Sequence, residues 1–110
     1  MTKLLSTIKD FIPCCYEEFD EQDIKLIVTI TKALGNEARF EIYNFLKVHH
    51  ACMTSDLVDH LPLAQSTISQ HLKVLKEAGI IVGEVDGTKT NYCINRDLMK
   101  RYKQLISQVL

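Results

Sequence analysis

The chain has 110 residues, 46% of them hydrophobic and 25% charged, with a formal net charge of −1. These proportions are those of one soluble domain, and no apolar stretch approaches the ~20 residues that a bilayer-spanning helix needs. The first residues offer neither a long apolar core nor a small-residue cleavage site, so the expected location is the reducing cytoplasm. There the four cysteines serve metal, metalloid or redox chemistry more readily than structural disulfides.

The near-zero net charge hides a gradient. Residues 1–23 carry Lys3 and Lys9 against six carboxylates, a net −4, and residues 24–63 balance to 0. Residues 64–110 carry seven Lys and Arg against Glu77, Glu84, Asp86 and Asp97, a net +3. Only the C-terminal half is suited to meet an anionic partner.

In chain order, Leu4, Leu5, Ile8, Phe11 and Ile12 share a helical face, Pro13 ends it, and Cys14 and Cys15 follow at the break. A second helix is predicted from about Asp20, with Ile24, Ile27, Val28, Thr31 and Leu34 inward and Gly35 as a left-handed stop. Asn36 is the predicted cap of a third, whose stripe is Ala38, Ile42, Phe45, Leu46 and His49. Thr54 is the predicted cap of a short helix with Asp56 at its positive end, Leu57, Val58 and Leu61 inward, and Pro62 after it.

The run Gln65–Ala78 predicts a helix with Ile68, Leu72 and Leu75 inward and Gly79 as its stop. Its opposite side, Gln65, Ser66, Ser69, Gln70 and Lys73, holds short donors and acceptors rather than the Glu and Lys mixture of a merely solvated helix. The period then changes to two. Ile80–Val85 and Thr90–Ile94 flank Asp86 and Gly87, which predicts a tight hairpin. A final helix over 97–110 places Leu98, Arg101, Tyr102, Leu105, Ile106 and Val109 on its packing side, with Asp97 or Asn95 near its start.

Two short helices joined by a tight turn and followed by a hairpin form the plan of a winged helix-turn-helix, mainly α with a β-hairpin wing. In that plan the second helix enters the major groove. Gln and Ser side chains are short enough to read base edges there, and Lys73 supplies a cation for phosphate, as does Lys89 beside Thr88 at the hairpin.

Ala33-Leu34-Gly35-Asn36-Glu37-Ala38-Arg39, then Asp56-Leu57-Val58, then the whole of Gln65–Ile81 closely resemble the ArsR/SmtB family of metal-responsive bacterial repressors. The resemblance covers roughly residues 24–110. It implies a homodimer joined through helices 20–34 and 97–110, with an N-terminal arm over 1–19, a helix-turn-helix over 54–79 and a wing over 80–95. The implied partner is double-stranded operator DNA with an inverted repeat, its half-sites about 34 Å apart. The implied DNA-facing residues are Gln65, Ser66, Thr67, Ser69, Gln70, His71, Lys73, Lys76, Thr88 and Lys89. Ala64 departs from the pattern, standing where relatives often carry a capping serine.

The resemblance also frames the inducer. The family's site on the last helix needs histidines that this helix lacks, and its Cys-x-Cys site falls here on Met53 and Ser55. What remains is Cys14, Cys15 and Cys52, similar to the arrangement in an arsenic-responsive branch, where the arm supplies two sulfurs and the helix-turn-helix region a third, often across the dimer. Three thiolates suit As(III) or Sb(III), and Cd(II), Pb(II) or Hg(II) fit the same donors. His49 and His50 beside Cys52 offer an alternative mixed Zn(II) site, while Cys93, His60 and the ring of His71 read as structural. Thiol oxidation is the rival signal, and a winged interaction module without DNA contacts is the rival function. No phosphate loop or paired-carboxylate cleft points to an enzyme.

Overall fold

The computed structural model describes residues 19–110, so the N-terminal helix expected over Leu4–Ile12 and the Cys14–Cys15 pair lie outside the described residues. Five helices and one hairpin follow in order: α1 Glu21–Leu34, α2 Glu37–His49, α3 Thr54–His60, α4 Gln65–Glu77, β1 Ile81–Asp86, β2 Lys89–Ile94 and α5 Arg96–Val109.

Asp20 caps α1, its carboxylate accepting the Asp23 N–H at 2.7 Å. The helix stops at Gly35, but not by the left-handed turn the sequence suggests. Gly35 has φ −76° and closes the helix through a bond from its N–H to the Lys32 carbonyl. Glycine suits the position because a Cβ there would sit 3.1 Å from the Thr31 carbonyl oxygen. The inward face of α1 also differs. Ile30 and Ala33 are buried, whereas Val28 is 39% exposed and Thr31 reaches the Tyr102 hydroxyl at 2.8 Å. Both sides of α1 carry apolar residues, so periodicity alone could not say which of them meets the helix-turn-helix core.

Asn36 caps α2 by accepting the Arg39 N–H at 3.1 Å, and Ile42 and Leu46 enter the core from this helix. His49 lies on the exposed side, its ring 4.2 Å from that of Phe45. Helix α3 begins with Thr54 as its first helical residue, not as its cap. Met53 holds the cap position, and the Asp56 carboxylate reaches back to take the Met53 N–H at 2.8 Å, the N3-to-N-cap half of a capping box. Leu57 is fully buried, and α3 stops at Leu61 before Pro62.

Ile68, Leu72 and Leu75 seat α4 in the core, and Gly79, at φ +83°, turns the chain toward β1. The hairpin is antiparallel with Asp86 opposite Lys89, so its two-residue loop is Gly87-Thr88, one residue later than the sequence suggests. Gly87 takes the positive φ of +65° that such loops demand at their first position. Asn95 caps α5 by accepting the Leu98 N–H. Met99 and Leu105 face inward from α5, while Val109 is 52% exposed and Arg101 points out to Asp23, with which it forms an ion pair at 3.0 Å.

One pairing joins segments that the residue pattern does not connect. Cys52 forms an isolated bridge with Tyr92, so the link between α2 and α3 docks against β2. The core that results joins Ile30, Ile42, Leu46, Cys52, Leu57, Ile68, Leu72, Leu75, Ile80 and Ile81. No polar or charged side chain among the described residues is buried in it. Apolar burial of this kind is the main favourable term in folding.

Candidate nucleic-acid interface

Helix α4 turns Ile68, Leu72 and Leu75 inward, and the helical period therefore leaves Gln65, Ser66, Ser69 and Gln70 exposed on the other side, followed by Lys73 and Lys76. Thr67 and His71 are half-buried at the flank of this face. The N-terminal turn of α4 contains no acidic residue, and Ala64 provides no side-chain cap. Its free N–H groups and the positive end of the helix dipole thus remain available to phosphate. Thr88 and Lys89 are exposed at the wing tip.

The ring of His71 is held below the ordinary histidine range, first by burial and second by the nearby Arg39 guanidinium. Near neutral pH it is therefore an uncharged donor and acceptor, fitted to hydrogen bonding rather than to charge neutralisation. Arg39 belongs to none of the functional sets that the sequence suggests. The signal was present in its place three residues after the α2 cap, where a cation opposes the local dipole and so has a task elsewhere. That task is a 2.7 Å bond to the Ala33 carbonyl at the end of α1.

The thiols are arranged differently from the polar face. Cys52 is 3% exposed, and its thiol is pushed above the usual range by burial and by the Asp56 carboxylate. Both described cysteines are free. Cys52 stands opposite Tyr92, and Cys93 is the next residue along β2, paired with Val82. Alternation along the strand sends the Cys93 side chain to the opposite face, so the two sulfurs are not neighbours.

The histidines near Cys52 have other partners. Arg96 donates to His50 Nδ1 at 3.0 Å, His60 Nδ1 donates to the Asp56 carbonyl at 2.8 Å, and His49 and His60 both flank the Phe45 ring. Among the described residues no group of three or more His, Cys, Asp or Glu side chains is placed to hold a metal ion. The mixed Zn(II) site of His49, His50 and Cys52 is therefore not assembled here. No described helix is long and apolar enough to cross a membrane.

Comparison with known proteins agrees with this geometry. Residues 36–82 match the family described as bacterial regulatory protein, arsR family. An uncharacterized HTH-type transcriptional regulator of Methanocaldococcus jannaschii, MJ1325, is 34% identical over 80 residues, covering 73% of this chain and 90% of the relative. The arsenical resistance operon repressor of Staphylococcus aureus is 32% identical, covering 68% of this chain and 71% of that protein. Among solved structures, an ArsR-like transcriptional regulator from Rhodococcus sp. RHA1 superposes with a TM-score of 0.71 at 21% identity, over 78% of this chain and 80% of that one, which supports the fold. With a polar recognition helix, a wing and these relatives, the chain belongs to the arsR family of helix-turn-helix transcriptional regulators.

Proposed function

We propose that this chain acts as a homodimeric repressor on an inverted-repeat operator and leaves it when As(III) or Sb(III) binds Cys14, Cys15 and Cys52. The DNA half of the proposal is carried by the exposed face of α4. Amide and hydroxyl side chains at Gln65, Ser66, Ser69 and Gln70 stand beside a helix start free of carboxylates, with Lys73, Lys76 and Lys89 placed for phosphate. Dimerisation is supported by the pairing of α1 with α5, tied by Thr31–Tyr102 and Asp23–Arg101, which leaves Val28 and Val109 exposed for a second copy to cover.

The inducer half rests on donor chemistry and on a relative named as an arsenical resistance operon repressor. Thiolates are the soft ligands that trivalent arsenic and antimony prefer. To join two sulfurs of the arm, Cys52 must leave its buried seat. Its backbone is bonded to β2, so that movement pulls on the wing. A coupling of ~1 to 3 kcal/mol per site changes operator affinity from several-fold to more than a hundredfold, enough to release a repressor.

The test starts from duplexes selected out of a random-sequence library, with release titrated in parallel against arsenite, antimonite, cadmium, zinc and peroxide. Arsenite and antimonite are expected to release the parent, and Cys14→Ser or Cys15→Ser chains are expected to stay bound. Release by peroxide alone, reversed by dithiothreitol, replaces the metalloid with thiol oxidation. Failure to enrich any duplex removes the DNA reading itself.

A further inference from the structure

Helix α2 ends in an unusual way. His50 has φ +64° and ψ −50°, the positive-φ geometry among the described non-glycine residues. This ψ lies outside the left-handed helical well, so His50 is not an ordinary helix stop. The Ala51 N–H donates to the His49 carbonyl at 2.7 Å, which closes a three-residue γ-turn around His50. The positive-φ form of that turn is rare and strained for a residue with a Cβ.

Such a conformation persists only where its surroundings over-determine it. Here they do so on both sides. The His50 N–H is still bonded to the Leu46 carbonyl at 3.0 Å, and Arg96 of α5 holds the imidazole at 3.0 Å. Two residues on, Cys52 gives its N–H to the Tyr92 carbonyl at 3.0 Å and accepts the Tyr92 N–H at 2.7 Å, with its side chain in the core. The strained turn therefore lies between a fixed helix end and a residue pinned to the wing.

We infer that the His49–Cys52 segment is a strained latch, in which relaxation of His50 to negative φ withdraws Cys52 from β2 and brings its thiol to solvent. Opening gives up the two Cys52–Tyr92 bonds and the seat of one small side chain, and it recovers the strain of the turn. It leaves Ile42, Leu46 and Leu57 in place, so it is a local event well below global unfolding. The latch deepens the reading above by supplying a route by which a buried cysteine becomes a ligand. Its mechanics require neither metal nor DNA, and the experiment contains neither, so its failure is separate from failure of the inducer assignment.

The experiment uses the full chain with Cys14, Cys15 and Cys93 replaced by serine, leaving Cys52 as the one thiol. Its reaction with N-ethylmaleimide in native buffer is compared with the rate that global unfolding in urea allows. Reaction at least about tenfold faster is expected. Two further chains, His50→Gly and His50→Ala, both lose the Arg96 contact, but only glycine accepts positive φ without a Cβ. Cys52 is expected to react about fivefold more slowly in the glycine chain than in the alanine chain. Amide exchange at Cys52 and Tyr92 should run ahead of Ile42 and Leu46. Labelling limited to global unfolding, or equal rates in the two His50 chains, overturns the latch.

Discussion

Arg39 donates its Nε–H to the Ala33 carbonyl oxygen at 2.7 Å, so a guanidinium from the first turn of α2 closes the last turn of α1. The same guanidinium lies close enough to His71 to depress its proton affinity. One side chain thus bonds the end of α1 and acts electrostatically on the flank of α4. Arg39→Leu is expected to cost about 1 to 2 kcal/mol, since bonds to charged donors contribute more than neutral ones but this one is partly solvated. The shift in urea midpoint measures it, and an unchanged midpoint would show the bond to be replaceable by water.

Operator binding should separate into two kinds of side chain. Replacing Lys73, Lys76 or Lys89 by glutamine is expected to weaken binding to all duplexes alike and to flatten the dependence of log affinity on log salt by about 0.9 per lost phosphate contact. Ser69→Ala or Gln70→Ala should instead cost about 1 to 3 kcal/mol on the selected duplex and leave the salt slope in place. Titrations across salt concentrations distinguish the two.

Acid should destabilise the fold through His71. The unfolded imidazole takes up its proton near pH 6.5, while the folded one is held lower by burial and by Arg39. Below that value the unfolded chain binds more protons, so this part of the stability is present at higher pH and declines as pH falls through about 6.5. Urea midpoints at about pH 7.5 and about pH 5.5 should differ more for the parent than for His71→Gln.

Cys52 has the opposite sense. Its thiol is raised above 9.0 by burial and by Asp56, so the unfolded chain releases the proton first and stability falls as pH climbs past that value. Cys52→Ala should remove that alkaline loss. Cys52→Ser should be the more destabilising of the two, by about 1 to 3 kcal/mol, because it places a hydroxyl in an apolar seat. Any loss of inducer response in either chain must therefore be compared at equal folded fraction.

Much of the architecture could be read from residue order. Asn36 caps the helix that its side chain suggests, Asn95 rather than the alternative Asp97 caps the last one, Gly79 takes the positive φ of a stop, and Ile68, Leu72 and Leu75 fill the inner face of α4. The polar face of α4 follows from the same period. These features are local, set by hydrogen bonds and spacing within a few residues. Two helix ends differ from the local pattern, although the contacts that set them are also only three residues apart. Thr54 is the first helical residue because Met53 takes the cap position with its N–H bonded to Asp56, and Gly35 ends α1 at negative φ because its N–H bonds to the Lys32 carbonyl.

By itself the sequence determined the five helices of residues 21–109, the presence of a hairpin and the side of α4 that stays polar, since each depends on contacts a few residues apart, and with them the family. Which side of α1 meets the core, the neutral state of His71 beside Arg39, and the burial of Cys52 against Tyr92 were decided only in three dimensions. Each joins residues far apart in the chain. Their energies come from desolvation and from backbone groups that find partners only after the helices have packed.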